Sequence, residues 1–207
     1  MSQVRTQTSS MGQIAEKISY PEFLEKYIDV HAEWVEGEVI PLMTASDRHQ
    51  DLVRWLIAIL SIFVETYDLG WLRSAPFNMH LPHLKRGREP DILFVTAERS
   101  HIVQPTYLAE AADLVIEIIS PESVDRDRHQ KFIEYETAGV PEYWLIEPEA
   151  QQAEFYQLDA TGQYRRIDLD DGIFRSTVLP DFWLKVAWLW QESLPKVLDV
   201  TRELGLI

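Results

Sequence analysis

Apolar residues recur at helical spacing between Ser46 and Tyr67, in the clearest periodic pattern of the chain. Ser46 suits the N-cap, Asp47 lies in the first turn, and Gly70 follows the end of the pattern. The apolar stripe comprises Leu52, Trp55, Leu56, Ile59, Leu60 and Phe63. Such a stripe predicts a long amphipathic helix that packs against a large apolar surface.

Two short segments, "PDILFV" and "DLVIEII", consist almost entirely of β-branched and other apolar residues. This composition is typical of strands that are buried on both faces. A second helical pattern extends from Val124 to Gly139, where the glycine suits a left-handed helix terminator, and the strand "EYWLIEP" follows directly. The order of these elements predicts helices packed on a central sheet.

The remaining segments are shorter. We predict a helix beginning near Ser19 and a strand segment "AEWVEGEVIPL" with a turn or bulge at Gly37. Further on, "QAEFYQL" and "QYRRIDL" are predicted to form a hairpin, and "IFRSTVLP" and "DFWLKVAWLW" are read as further strands. A final helix is predicted from Glu192 to Leu204. Residues 1–15 are polar and are expected to be disordered, so residues 16–207 form one domain of α/β or α+β class.

The chain of 207 residues has a formal net charge of -15, which opposes binding to nucleic acid as a whole. Its bases cluster in two places, at Lys85, Arg86 and Arg88 and at Arg126, Arg128 and Lys131. These clusters either create a local positive field or are ordinary solvated loop charges. The absence of cysteine excludes disulfides and thiolate metal sites and fits the cytoplasm. We find no signal peptide and no apolar run of the ~20 residues needed to span a membrane.

Asp91 and Glu117 are the acids of the two apolar strand segments. A buried carboxylate is costly unless it meets a positive partner or a metal. Two such acids on neighbouring strands would suit Mg²⁺, with the backbone carbonyl of Ile118 as a further ligand. Taken singly, Asp91 could cap a turn and Glu117 could pair with a nearby base. An acid flanked by apolar residues on both sides, as in "VIEII", is nevertheless typical of a functional site.

The segments "PDILFV", "LVIEIISPES" and "K-x-x-x-Y-x-x-x-G-V-x-E-Y-W" occur together in this order. Their combination resembles the PD-(D/E)XK nuclease superfamily, and more closely its Uma-two family of restriction-endonuclease-like proteins. The resemblance covers most of the chain, from "AEWVEGEVI" to the closing hairpin. It implies a restriction-endonuclease-like fold, in which helices flank a central mixed β-sheet and additional hairpin strands follow at the C-terminal end.

The resemblance also implies roles for particular residues. Asp91 and Glu117 correspond to the metal-binding acids of the family motif. The motif's lysine would stand at Ile119, which cannot supply a positive charge, and Lys131 on the following helix is the candidate substitute. Lys131 could instead be a solvated helix lysine. Tyr135, one turn later, either bonds to the site or simply packs against the sheet.

Three further residues are candidates for the same site. Glu33 and Glu38 match the family's "E-x-x-x-G-E" pattern, and the sequence does not show which of them faces the metal. His49, near the start of the long helix, could be a proton carrier, a ligand or a structural histidine.

Together these residues imply an endonuclease that depends on Mg²⁺, or alternatively Mn²⁺, and hydrolyses DNA phosphodiester bonds as a homodimer. Two other hypotheses stay open. The departure at Ile119 and the acidic charge favour a non-catalytic binding module that keeps the nuclease fold. Hydrolysis of a smaller phosphate ester is also compatible with the negative charge.

Overall fold

The structure, a computed structural model, describes residues 17–27 and 29–207. The disordered tail predicted for residues 1–15 lies outside the described residues. The helices are α1 (Tyr20–Tyr27), α2 (Asp47–Thr66), α3 (Phe132–Ala138) and α4 (Val197–Glu203). The strands are β1 (Ala32–Val35), β2 (Glu38–Pro41), β3 (Gly70–Ser74), β4 (Asn78–Leu81), β5 (Arg86–Arg88), β6 (Ile92–Thr96), β7 (Tyr107–Leu108), β8 (Leu114–Ile118), β9 (Glu142–Glu147), β10 (Gln152–Leu158), β11 (Tyr164–Arg166), β12 (Ile173–Arg175) and β13 (Trp183–Lys185).

A six-stranded mixed sheet in the order β11-β10-β9-β8-β6-β3 forms the centre of the fold. Strands β8 and β9 are parallel, whereas the other neighbours are antiparallel. Along β6 and β8, alternate side chains enter two different apolar clusters, as the pleat of a strand requires. Both strands are therefore buried on both faces, which confirms the prediction for "PDILFV" and "DLVIEII".

Helix α2 covers one face of this sheet. Ser46 is its N-cap, and the Ser46 side chain accepts a hydrogen bond from the backbone N–H of His49. The predicted apolar stripe is buried in the same cluster as Ile116 and Trp144 of the sheet. The hairpin of β12 and β13 and the helix α4 complete this cluster. The prediction of a long helix at this position is confirmed to within one residue at each end.

A second sheet, in the order β2-β1-β5-β4-β7, carries the short helix α1. The turn between β1 and β2 contains Gly37 at a φ of 96°, which confirms the turn predicted there. The strands β3, β4, β5 and β7 were not predicted from the sequence pattern. These strands are short, and β5 has the sequence RGR, which no apolar pattern could identify.

Two predicted helices differ in detail. The helical pattern between Val124 and Gly139 is divided into a π-helical turn, Arg126–Lys131, and helix α3, which ends at Gly139 with a φ of 79°. The last helix begins at Val197 and not at Glu192, since Pro195 lies between them. No helix among the described residues is long and apolar enough to cross a membrane.

Glu142, the glutamate of "V-x-E-Y-W", joins the central sheet to the segment after β12. Its fully buried carboxylate accepts hydrogen bonds from Trp144 Nε1, from Ser176 Oγ, and from both the backbone N–H and the hydroxyl of Thr177. The distances are 2.7, 2.8, 2.8 and 3.1 Å, respectively. These bonds attach the C-terminal hairpin segment to strand β9, so Glu142 has a structural role.

We expect Glu142→Ala to lower the free energy of unfolding by at least about 3 kcal/mol, because several buried donors lose their acceptor. Urea denaturation of the variant measures this loss. Glu149→Ala, at an exposed position in the turn after β9, is the matched control and should leave the midpoint unchanged. Equal midpoints for the two variants would contradict the structural role of Glu142.

Candidate active site

Asp91 and Glu117 lie opposite each other on neighbouring strands. Ile92 of β6 pairs with Ile116 of β8, and continuing this antiparallel register by one residue places Asp91 opposite Glu117. Oδ2 of Asp91 accepts a hydrogen bond of 2.7 Å from the backbone N–H of Ile118. Directly opposed side chains share one face of a sheet. The two predicted acids are therefore close neighbours.

Lys131 supplies a positive charge to this pair from a different element. Its Nζ lies 2.8 Å from Oε1 of Glu117, 3.1 Å from Oε1 of Glu33 and 3.4 Å from Oδ1 of Asp127. The side chain is 2% exposed. Lys131 ends the π-helical turn, a rare irregularity that is frequent at functional sites. Lys131 is therefore a buried lysine of the site and not a solvated helix lysine.

Glu117 has a second partner in Tyr135. The hydroxyl of Tyr135 donates a hydrogen bond of 2.8 Å to Oε1 of Glu117, the same oxygen that Lys131 contacts. The tyrosine ring is fully buried and also packs edge-on against Tyr143 at 5.1 Å. Both predicted alternatives for Tyr135 therefore hold, since its hydroxyl bonds to the site and its ring packs in the core.

Glu33 is held by a buried arginine. Nη1 of Arg88 donates to Oε2 of Glu33 at 2.7 Å, while Nε and Nη2 of Arg88 bind the carboxylate of Glu134 on α3. Arg88 is 2% exposed and Glu33 is fully buried. This network fixes the glutamate whose other oxygen contacts Lys131.

His49 approaches the site from the first turn of α2. Its Nε2 lies 3.2 Å from Oδ2 of Asp91. Burial acts to lower the pKa of His49, but the hydrogen bond and the charge of Asp91 outweigh this effect and raise it. His49 thus helps to orient Asp91, and together with Ile118 N–H it occupies one of the two carboxylate oxygens.

These side chains line one pocket with a volume of about 130 Å³. Asp91, Glu117, Lys131 and His49 contribute to its wall, as do Glu89 and Asp127. One buried atom of the wall, Nδ1 of His49, has no hydrogen-bond partner among the described residues. Oε1 of Glu89, by contrast, contacts Nδ1 of His31. A buried polar atom without a partner is rare in proteins, and a bound water or ligand is one way to satisfy it.

The two glutamates beside Lys131 have opposite pKa shifts. Burial raises the pKa of Glu117 to about 8, and the charges of Asp127 and Asp91 add to the rise although Lys131 opposes it. Burial also acts on Glu33, but the positive charges of Lys131, Arg88 and Arg126 outweigh it and lower the pKa to about 2. Glu117 is therefore the carboxyl of this cluster that takes up a proton most readily.

The pocket wall contains oxygen atoms that could hold a cation. Oδ1 of Asp91 and Oε2 of Glu117 accept no hydrogen bond from any described residue. The described residues include no group of three or more His, Cys, Asp or Glu side chains arranged around a metal. Mg²⁺ needs only one or two protein carboxylates, since it keeps several waters. The donor set thus fits Mg²⁺ better than a metal that requires a complete protein cage.

Glu38 was predicted as an alternative to Glu33, and the structure does not bring it to this pocket. Glu38 begins β2 directly after the turn at Gly37, and its side chain is exposed there. Its Oε1 lies 3.8 Å from Nζ of Lys17. Asp91, Glu117, Glu33, His49, Ile118, Lys131 and Tyr135 come together at the pocket or directly beside it. Their roles in a reaction stay predictions.

Four residues of the site were not predicted as such: Asp127, Glu89, Arg88 and Arg126. Asp127 lies four residues before Lys131, a spacing that brings side chains together on a helix and could have indicated the pair. The pair of Arg88 and Glu33 is separated by 55 residues and leaves no local pattern.

The two predicted clusters of bases are largely used in internal ion pairs. Arg86 and Arg88 bind Glu134, and Arg128 binds Glu147 and Glu154. These charges are neutralised by acids of the same chain, so they form no free positive surface beside the pocket. These three arginines are therefore neither ordinary solvated loop charges nor a source of a free positive field.

We expect Glu117→Gln to change how stability depends on pH. Between the ordinary pKa of 4.5 and about 8, the folded wild type retains a proton that the unfolded chain has lost. Its free energy of unfolding should therefore fall as pH rises, by up to about 1.4 kcal/mol per pH unit. Glutamine has no titratable carboxyl group, so the free energy of unfolding of the variant should lack this fall with pH.

Urea denaturation of both proteins between pH 5 and pH 8 measures the difference. The contribution of Glu33 has the opposite sign and is confined to the range from about 2 to 4.5, so it does not interfere. Parallel stability curves for wild type and Glu117→Gln would show that Glu117 does not take up this proton.

Comparison with known proteins places the chain in a family. The family model Uma2, described as "Putative restriction endonuclease", matches residues 20–187. A solved structure from Anabaena variabilis, described as "a putative nuclease belonging to DUF820", is 18% identical, with a TM-score of 0.70. The match covers 84% of this chain and 97% of that one, and at this identity it shows a shared fold. No curated protein matches the chain. The chain belongs to the Uma2 family of restriction-endonuclease-like proteins and has their nuclease fold.

Proposed function

We propose that the chain is a Mg²⁺-dependent nuclease that hydrolyses DNA phosphodiester bonds at the pocket of Asp91 and Glu117. The observation that carries the proposal is the position of Lys131. Its ammonium lies 2.8 Å from Oε1 of Glu117, although the motif position two residues after Glu117 is occupied by Ile119. Two acids and a lysine, the three elements of the motif, therefore lie close together in the fold, although the lysine is not at its usual position in the sequence.

Asp91 and Glu117 would hold Mg²⁺, with Mn²⁺ as an alternative, through the carboxylate oxygens that accept no hydrogen bond from described residues. The carbonyl of Ile118 would be a further ligand. When bound, the ion activates a water and neutralises charge that develops on the phosphate. The protein fixes one of its ligands in advance, because Ile118 N–H and His49 both bind the other oxygen of Asp91.

Lys131 and Tyr135 act on Glu117 itself. Both bind Oε1, which leaves the second oxygen of Glu117 without a donor among the described residues. Lys131 also places a positive charge in a buried position, where it would stabilise negative charge on a phosphate more strongly than in solvent. Glu33 and Asp127 hold the ammonium in place.

A second function is favoured by one observation on the same lysine. Lys131 Nζ contacts the carboxyl groups of three acids, so its charge is balanced by groups of the same chain. A non-catalytic binding module with the nuclease fold would have such a purely structural lysine. Calorimetry with Mn²⁺ separates the two. Binding that is lost in Asp91→Asn supports the nuclease, whereas no binding by the wild type supports the module.

The choice of DNA as substrate and the homodimer follow from the family resemblance alone. The formal net charge of -15 opposes long-range attraction of DNA, so a small phosphate ester stays an alternative substrate. Sedimentation of the purified protein tests the homodimer directly.

We expect Asp91→Asn and Glu117→Gln each to reduce Mg²⁺-dependent DNA cleavage by more than about a hundredfold. Loss of a residue that only supports a metal ligand costs ~10–100-fold, and loss of a ligand itself should cost more. Cleavage of single-stranded, duplex and supercoiled DNA measures the effect. Asp168→Asn, at an exposed position outside the pocket, is the control and should retain wild-type activity. Equal cleavage by wild type and Asp91→Asn would disprove the assignment.

The role of Lys131 can be tested by moving the lysine back to the motif position. We expect Lys131→Met to lose activity by at least about a hundredfold, as removal of one preorganised charge-stabilising donor does. The double variant Ile119→Lys with Lys131→Met should regain part of that loss, because residue 119 lies on the same strand face as Glu117. Thermal unfolding checks that both variants fold. A folded double variant that remains as inactive as Lys131→Met would contradict the substitution.

A further inference from the structure

Two of the lysine and arginine side chains in the described part of the chain line the candidate pocket, and they differ in what they contact. Lys131 contacts three carboxylates through its only charged group. Arg126 contacts one, through its Nε, which lies 3.3 Å from Oδ1 of Asp127. The two terminal nitrogens of Arg126 donate to no described residue.

The other arginines near the site show that this freedom is unusual. Arg86, Arg88 and Arg128 use their terminal nitrogens on acids or carbonyls of the chain and do not line the pocket. The side chain of Arg126 is 29% exposed, whereas its anchor Asp127 is 2% exposed. The guanidinium is thus bonded at Nε, and the side chain is partly accessible to solvent.

We propose that Arg126 binds the phosphate group of the substrate, with its two terminal nitrogens directed at the non-bridging oxygens of a phosphodiester. The inference rests on the proposed function, since it assigns the phosphate-binding residue of the same pocket. A guanidinium edge matches two phosphate oxygens in a planar fork, which an ammonium cannot do.

The charges around Arg126 support this assignment. The carboxylates of Glu33, Asp127 and Glu117 outweigh the effect of burial and raise the pKa of Arg126, so the guanidinium stays charged in the pocket. Without a positive group at the rim, the exposed acids Glu122 and Asp125 and the pocket carboxylates would repel a phosphate. Arg126 offsets part of this repulsion.

Binding is measured by fluorescence anisotropy of a labelled eight-residue oligothymidylate in Ca²⁺, which allows binding to be separated from cleavage. We expect Arg126→Gln to weaken binding about tenfold and to lower the slope of log affinity against log salt by about one, as loss of one phosphate contact does. Arg126→Lys keeps the charge without the fork and should be intermediate. Arg175→Gln, at an exposed arginine outside the pocket, should bind like the wild type.

Thermal unfolding shows whether the variants fold. If Arg126→Gln does not fold, the binding of Arg126→Lys provides the test. Unchanged binding by the folded Arg126 variants, an equal loss in Arg175→Gln, or no binding by the wild type would overturn the inference. The proposed function fails separately. If the oligonucleotide is bound through Arg126 but no DNA is cleaved in Mg²⁺, the phosphate contact stands and the nuclease activity does not.

Discussion

The ammonium of Lys131 among three buried carboxylates is the interaction on which the site depends. Glu33 comes from β1 in the second sheet, Glu117 from β8 in the central sheet, and Asp127 from the π-helical turn before α3. Burying these three acids without a cation would be strongly destabilising, because the loss of hydration of their charges would not be offset by any attraction. One lysine therefore joins the two sheets and the turn.

In the proposed nuclease, this arrangement would allow Lys131 to replace the motif lysine that is missing at Ile119. Residue 119 shares a strand face with Glu117, but Ile119 is packed in the apolar cluster that also contains Tyr135 and Val140. A positive charge is needed at a point in space, and any element that reaches this point can supply it. The π-helical turn places Lys131 there. The same turn begins with Arg126, so one irregular segment delivers both basic groups of the pocket.

The sequence was informative where chemistry and burial left a local pattern. Apolar runs interrupted by a single acid identified β6, β8, Asp91 and Glu117, and the periodic stripe identified α2. It was not informative where partners are distant in sequence. Arg88 and Glu33 meet across 55 residues, and the bonds of Glu142 to Ser176 and Thr177 span more than 30. The choice between Glu33 and Glu38 likewise depended on the position of their strands in the second sheet, since β1 lies between β2 and β5 whereas β2 is an edge strand.

The acidic composition has a different meaning once the ion pairs are known. Bases that look available in the sequence, such as Arg86 and Arg128, are bound to acids of the same chain. Little positive surface therefore remains near the pocket to attract a polyanion from a distance, and salt screens what remains within about 10 Å. In the proposed nuclease, affinity for a phosphodiester would arise at short range, from a bound cation and from Arg126. The metal would then have two roles, because the charge that activates a water would also make the acidic pocket acceptable to an anionic substrate.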